Sequence, residues 1–532
     1  MLYLFATRAA ASCPSVALRG TNLRQRSDIM VTLKPTQKGL HTAVPKIKKI
    51  VLVEPRAPGL HVYSRVHLPR LGLPLLAGIL KSRGYEDVTI YCADISPIDI
   101  EDLCRADLVG LSTTTSTAPA AYRLGSLVKR RNPNAIVVIG GVHVTFMPDE
   151  PFQQETAERF DAPLPICDYV VRGEAESTFP QLVEDLENGK QPERILGVTL
   201  RNEPGARIDW RLTTQNLDDL PFPDLRAIVG HRRISIAPVM TSRGCPFDCN
   251  FCSVIEMFGQ RMRYRSIEPD HPGGVIEELR ALERHGIKQV FFYDDNFCAN
   301  INRTKQLLEN MIRANVVPRA WSAQVRATDV IRDKELLELM KRTNCFMVYM
   351  GLESVNPHTL EEYNKKQSVE QIVEAIQVLK KYDVLAHGMF VFGADEDTVE
   401  SLRATADFAI KNDISTVQFM ILTPLPGTRY FDVLHNEGRI FDLDWTHYDA
   451  HHTVFRPKHM TPAQLQRVTF EAMARVYTYT RCISPLLRGR YITAFFRIYA
   501  HRLLAQYVRS TRDYMQFLES VSMQSSATPA QT

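Results

Sequence analysis

Three cysteines within eight residues set the strongest constraint on this chain. Cys245, Cys249 and Cys252 lie in the stretch Thr241-Ser-Arg-Gly-Cys-Pro-Phe-Asp-Cys-Asn-Phe-Cys252, a C-x3-C-x2-C spacing. Thiolates this close can converge on one soft metal centre, and they are the usual ligands of iron–sulfur clusters. Three ligands rather than four leave one iron of a 4Fe–4S cube open to something other than protein. Gly244 and Pro246 break regular structure around the first cysteine, which suits a loop wrapped on an inorganic core. Two rival readings use the same residues. A zinc site wants a fourth Cys or His nearby, and none is close in the sequence; a C-x2-C redox pair leaves Cys245 idle.

The remaining composition narrows the setting. The 532 residues are enough for two or three domains, and no run approaches the ~20 apolar residues of a membrane span. A net charge of +4 is too small at this length to argue for nucleic acid, which is not expected as a partner. Apart from the central three, the ten cysteines are scattered, so a reducing, cytoplasmic setting is expected rather than a disulfide framework.

Read in order, the chain divides into five parts. Residues 1–46 form a basic tail, expected to be disordered, with Arg8, Arg19, Arg24 and Arg26 against the single acid Asp28. An over-extended start, with Met30 as the first residue, is preferred to an organelle transit peptide. Residues 47–200 alternate short apolar strands (Ile50–Val53, Val88–Tyr91, Leu108–Leu111, Ile136–Ile139, Tyr169–Val171) with helical stretches, which predicts an α/β doubly wound parallel sheet. Residues 201–236, with Pro221 and Pro223, read as a linker. Residues 237–430 repeat strand and helix six times, which predicts a partial (β/α) barrel with the cysteine loop after its first strand. Residues 431–532 are a helical C-terminal extension. Nine arginines between 467 and 512 lie among aromatic residues there, and docking on the barrel is preferred to lying on an anionic membrane.

Ligands of both sheet types sit at the carboxyl ends of strands. Small and polar residues gather at those predicted ends. In the first sheet they are Ser112 with Thr114, Gly140-Gly141 with His143, and Gly173-Glu174. In the barrel they are Asp294-Asp295, Gln324, Arg326, and Glu353-Ser354. Ordinary turns and helix caps favour the same residue types, so composition alone leaves both readings open.

The cysteine stretch, including the aromatic Phe251, resembles the signature of the radical S-adenosylmethionine (SAM) superfamily. A doubly wound domain directly ahead of such a core resembles the cobalamin-dependent class of that superfamily. The opening Pro69-Arg-Leu-Gly-Leu-Pro74 and the Leu-Pro-Phe-Pro-Asp of 220–224 fit the same class. The resemblance implies a 4Fe–4S cluster on Cys245, Cys249 and Cys252. It implies SAM against Phe251, Asp294, Asp295, Gln324, Arg326, Glu353 and Ser354. It implies cobalamin against Ser112, Thr114, Gly140, Gly141, His143, Gly173 and Glu174. A 5′-deoxyadenosyl radical would then lead to methylation of an unactivated carbon in a lipid, tetrapyrrole or natural product. The alternatives are an oxidative ring cyclase like the anaerobic magnesium-protoporphyrin monomethyl ester cyclase, and a non-catalytic cluster or cobalamin sensor. Implied partners are a small-molecule or lipid-like substrate and an electron donor such as flavodoxin or ferredoxin, with peripheral membrane contact through the C-terminal helices as a further option. The chain has no D-x-H-x-x-G motif, so no lower axial cobalt ligand is named.

Overall fold

The first sheet is built from strands apolar enough to be covered on both faces, the condition for a parallel sheet. In the computed structural model, which describes residues 46–56, 68–190, 195, 197–201, 214, 216–259 and 261–527, its strands are β1 (Lys49–Glu54), β2 (Asp87–Cys92), β3 (Leu108–Thr113), β4 (Ile136–Gly141), β5 (Tyr169–Val171) and β6 (Val198–Leu200). The order is β2-β1-β3-β4-β5-β6. All pairs are parallel except β5 with β6. That last strand has three residues, too few to show a period in the sequence. The order reverses direction between β1 and β3, which opens a crevice at their carboxyl ends. The basic tail up to residue 45, including Met30, and residues 202–213 of the linker lie outside the described residues.

The second sheet contains β7 (Ile236–Val239), β10 (Gln289–Phe292), β11 (Ala320–Val325), β12 (Cys345–Glu353), β13 (Leu385–Phe392) and β14 (Thr416–Ile421), while β8 (Ser242–Arg243) and β9 (Arg263–Tyr264) form a separate small ladder. Its six strands run in chain order and all in parallel, with β7 and β14 at the two ends. This is the partial (β/α) barrel. Phe292 and Trp321, and Phe390 and Phe419, are buried and pack ring against ring across neighbouring strands. The edge at β14 is closed by the extension rather than by another strand. The Tyr477 hydroxyl donates to the Val417 carbonyl (2.6 Å) and accepts from its N–H (2.8 Å), and the Ala450 carbonyl accepts from the Ile421 N–H (2.8 Å). A side chain and a loop thus satisfy backbone groups that an open edge would leave exposed.

The extension is helical, with helices Pro462–Val476, Tyr479–Ile483, Tyr491–Ser510 and Arg512–Ala527. The first follows a capping box in which Thr461 and Gln464 exchange hydrogen bonds. No described helix is long and apolar enough to cross a membrane.

The carboxyl ends of the two sheets come together. Glu54, at the end of β1, pairs with Arg70 at 3.4 Å, and the charges of both reach Tyr293, just past β10. Gly427, in the loop after β14, lies against Phe146, which ends the short helix after β4. A Cβ there would approach the Phe146 ring to 2.2 Å, and the φ of +86° itself favours glycine.

Candidate functional site

The cysteine loop is held at both ends by residues that the barrel supplies. At its base, Asp294 is fully buried and accepts hydrogen bonds from the Thr241 N–H (3.2 Å), the Thr241 hydroxyl (2.9 Å) and the Ser242 hydroxyl. Arg303 lies 4.7 Å over the Tyr264 ring and donates to the Thr241 hydroxyl and carbonyl. Gly244 has a φ of +97° and stands so close to the Arg261 carbonyl that a Cβ would meet it at 2.9 Å. Further along, the Asn250 amide donates to the Glu362 carbonyl (2.6 Å), and Asn364 donates to the Asp248 carbonyl (2.6 Å). Arg429 forks onto the Asp248 carboxylate. The loop is therefore anchored by segments following β10, β12 and β14.

Within the loop, the Cys252 N–H closes a turn on the Cys249 carbonyl (3.2 Å). Burial raises the Cys245 thiol and pushes Cys252 up to about 12, and the neighbouring sulfurs and Asp295 add to the effect. Sulfurs crowded in a dry site ionise against a cationic centre, which is what an iron–sulfur core offers. Three cysteines from one short loop are the ligand count of a cluster with one open iron, whereas a structural zinc takes four ligands. All nine described cysteines are free thiols. The donor set fits a cluster.

The residues expected around SAM separate into two groups. Asp295 and Arg326 stand beside the cluster loop. Asp295 accepts from the Gly244 N–H, and burial, with Asp294 next to it, raises its carboxyl to about 7. Arg326 stacks on the Phe247 ring at 3.7 Å, and its buried Nε has no hydrogen-bond partner among the described residues. Both act electrostatically on Cys245. Gln324 is half-buried on the same strand. Phe251 meets Tyr363 edge-on at 4.9 Å. Asp294 belongs to the other group, because its oxygens are taken up by the loop base. Glu353, at a φ of +58°, is buried in a 2.6 Å pair with Lys365. Gly351 makes room for that pair, since a Cβ there would fall 2.4 Å from the Glu353 carboxylate. The Ser354 hydroxyl accepts from the Asn356 N–H (3.0 Å), a turn contact.

The residues expected around cobalamin divide in a similar way. Ser112 and Thr114 are half-buried at the end of β3. Gly141 has a φ of +104°, and a Cβ there would sit 2.3 Å from the Thr113 carbonyl oxygen. Only glycine lets β3 and β4 approach so closely, which leaves a backbone-lined floor beside Gly140 that suits a nucleotide tail. Gly173 donates its N–H to the Thr145 hydroxyl (2.9 Å), which in turn donates to the Gly141 carbonyl (2.9 Å).

Glu174 is engaged elsewhere, and His143 is engaged through one of its two ring nitrogens, its buried Nδ1 having no hydrogen-bond partner among the described residues. His143 is buried with its Nε2 2.7 Å from Glu150, whose carboxylate also accepts from Tyr122 (2.7 Å) and Trp445 Nε1 (2.6 Å). The network ties the extension to the first sheet. Glu174 is buried between Arg243 (2.8 Å) and Arg263 (2.9 Å), the two arginines of the β8–β9 ladder, while Arg243 also reaches Glu176 (2.8 Å). The Gly-Glu-x-Glu stretch thus clamps the first domain to the base of the cysteine loop. Arg243 and Phe247 could have been suspected from their place inside the cysteine stretch. Arg263, Glu150, Trp445 and Lys365 carry no local signal.

Comparison with known proteins places the two halves. A model of the radical SAM superfamily matches residues 239–409 and a model of the B12 binding domain matches residues 60–183. The chain is 34% identical over 452 residues to an uncharacterized methyltransferase of Pyrococcus horikoshii, covering 81% of this chain and 93% of that one. It is 31% identical to the bacteriochlorophyllide d C-12(1)-methyltransferase of Chlorobaculum tepidum, covering 81% and 87%. It is 27% identical to the anaerobic magnesium-protoporphyrin IX monomethyl ester cyclase of Synechocystis, covering 83% and 86%. Among solved structures, the fold resembles OxsB with aqua-cobalamin and SAM bound (TM-score 0.62, 16% identity, 85% of this chain and 72% of that one). It also resembles the methyltransferase TsrM of Kitasatospora setae with cobalamin and a 4Fe–4S cluster bound (TM-score 0.59, 19% identity, 74% and 75%).

Proposed function

Because this chain belongs to the cobalamin-dependent radical SAM enzymes, which join a B12-binding domain to a radical SAM core, we propose that it methylates an unactivated carbon of a lipid, tetrapyrrole or natural product. When bound, the cluster and SAM supply a hydrogen-abstracting radical and cobalamin supplies a methyl group. The observation that supports the reading is Glu174, just past β5 of the first sheet, buried between Arg243 and Arg263 at the base of the cysteine loop, so that the two domains are joined beside that loop.

The chain's own residues would divide the work as follows. Cys245, Cys249 and Cys252 would hold the cluster. Asp295 would meet the ammonium of SAM and Arg326 its carboxylate, with Phe247 stacked on the guanidinium plane. Phe251, Gln324 and Ser354 shape the same pocket, while Asp294 and Glu353 position it from behind. Ser112, Thr114, Gly140 and Gly141 hold the cobalamin tail, and His143 and Gly173 keep that floor rigid. A small, soluble electron donor such as flavodoxin or ferredoxin supplies the electron. The setting is the cytoplasm, with peripheral membrane contact through the C-terminal helices as a further option.

The deciding experiment is anaerobic turnover with methyl-labelled SAM on extracts of the source cells, read by mass spectrometry. Methyl transfer yields a product carrying the labelled methyl. A ring-closing oxidation, the reading that the cyclase relative favours, yields 5′-deoxyadenosine and an unlabelled product. Cys249→Ala removes cluster absorbance and SAM cleavage together; cleavage that survives it would refute the assignment.

A further inference from the structure

The C-terminal extension reverses direction at Leu486–Arg488, between helices Tyr479–Ile483 and Tyr491–Ser510, and closes on Gly489 at a φ of +69°. Large apolar side chains on this reversal face water. Leu487 is 88% exposed, Tyr479 68% and Tyr491 62%, and Ile492 and Phe495 are exposed beside them. Single exposed apolar residues are ordinary, but a cluster on one turn is not. The inward face of the same helix is used normally: Thr493, Ala494 and Arg497 are buried against the barrel. An amphipathic helix docked on a core should turn a polar face outward, and the start of this one does not.

The charge around the turn has one sign. From Ala472 to Arg512 the chain has eight arginines and no acid. The carboxylate that the turn meets is Asp413, beyond helix Val399–Lys411. Arg497 lies 2.9 Å from it, Arg490 3.1 Å and Arg488 3.7 Å, and Lys380 acts on it as well. Four cations therefore face one carboxylate. Arg497 is fully used, because it also donates to the Ser415 carbonyl (2.9 Å) and the Ile414 carbonyl (2.7 Å). Arg488 and Arg490 are half-exposed or more. Ser415, Ser484 and Thr493 line the same recess, and helix Tyr491–Ser510 begins there without a side-chain cap. Guanidinium groups that share a single carboxylate, beside hydroxyls and an uncapped helix start, are the chemistry of a phosphate site.

We propose that this turn anchors the enzyme on an anionic phospholipid surface. Arg488 and Arg490 take the lipid phosphate while Leu487, Tyr491 and Ile492 enter the boundary between headgroups and acyl chains. The two features are adjacent, and that selects the partner. Free phosphate would account for the arginines but not for Leu487, and a purely apolar partner would account for Leu487 but not for the arginines. The anchor stands apart from the methyl-transfer reading, since its test measures binding and not turnover.

The test uses the full chain with its cluster, sedimented with vesicles of phosphatidylcholine alone or mixed with phosphatidylglycerol. Binding to the mixed vesicles is expected. It should weaken at least about tenfold in L487D and in the R488Q/R490Q pair, with both variants keeping the wild-type iron content and circular-dichroism melt. Equal binding to both vesicle types, or L487D binding as well as wild type, overturns the anchor. Calorimetry with inorganic phosphate and sedimentation velocity complete the test. Phosphate binding without vesicle binding assigns the recess to a free anion. A dimer lost in L487D assigns the patch to a second copy of the chain. Either result overturns the proposal.

Discussion

Glu174→Gln tests how the two domains are joined. The wild-type carboxylate is buried between Arg243 and Arg263 and also accepts from the Thr214 N–H (3.0 Å). Removing one partner of a buried pair typically costs about 3–5 kcal/mol, because the other charge is left uncompensated. The lower end applies here. Arg243 keeps Glu176 at 2.8 Å, and the glutamine oxygen still accepts one bond. A loss of about 3 kcal/mol moves the urea midpoint by roughly 1 M if the m-value is about 3 kcal/mol/M. The exposed pair Arg83–Glu184 is the control, and Glu184→Gln should cost about 0–1 kcal/mol.

The pH dependence has a definite sign. Burial alone would raise the Glu174 carboxyl, but the Arg263 hydrogen bonds and the Arg243 charge outweigh it and hold the group below its ordinary value of 4.5. A depressed acid adds stability that is complete above 4.5 and is lost as the pH falls through the folded-state value. The gap between wild type and variant should therefore be widest near neutrality and should narrow below 4.5. Urea unfolding of the two proteins at several pH values measures it. A Glu174→Gln cost as small as that of Glu184→Gln, or a gap that does not narrow in acid, would refute the clamp.

Three further outcomes follow from the same geometry. Asp294→Ala should destabilise by about 2–3 kcal/mol, since it strands the buried donors of Thr241 and Ser242, whereas Asp295→Asn should not destabilise near neutral pH, because burial already disfavours its charged form, and should weaken SAM binding in equilibrium dialysis by about tenfold. Gly427→Ala should destabilise by at least about 1–2 kcal/mol through its φ of +86° and its clash with Phe146, and Phe146→Ala in the same chain should recover the clash but not the backbone strain. Trp445→Phe should cost about 1.5–3 kcal/mol in thermal or urea unfolding, because the buried Glu150 carboxylate loses its indole donor.

Much of this molecule is legible in its residue order for a physical reason. Strands of a parallel sheet are short apolar runs, helices repeat with their own period, and the two alternate. The five strands expected in the first sheet and the six in the barrel correspond to β1–β5, β7 and β10–β14. The cysteine loop is legible because its three cysteines lie in one short segment. The surrounding pocket is less legible. Asp294 and Asp295 are neighbours in sequence, but successive residues past a strand point opposite ways. One therefore supports the loop base and the other faces the site. The partners of His143 and Glu174 are likewise invisible in the local sequence, because Trp445, which shares Glu150 with His143, and Arg263, which holds Glu174, arrive from far along the chain.

The amino-acid order by itself determined the two sheets, their succession and the cysteine trio, because each depends on patterns within a few residues. Tertiary structure decided which acids are spent on buried arginines and hydroxyls and which are not. It also decided that the carboxyl ends of the two sheets meet at the cysteine loop. The balance between a buried charge and its partner is settled only when segments distant in the chain come within hydrogen-bond reach, and no local pattern encodes that distance.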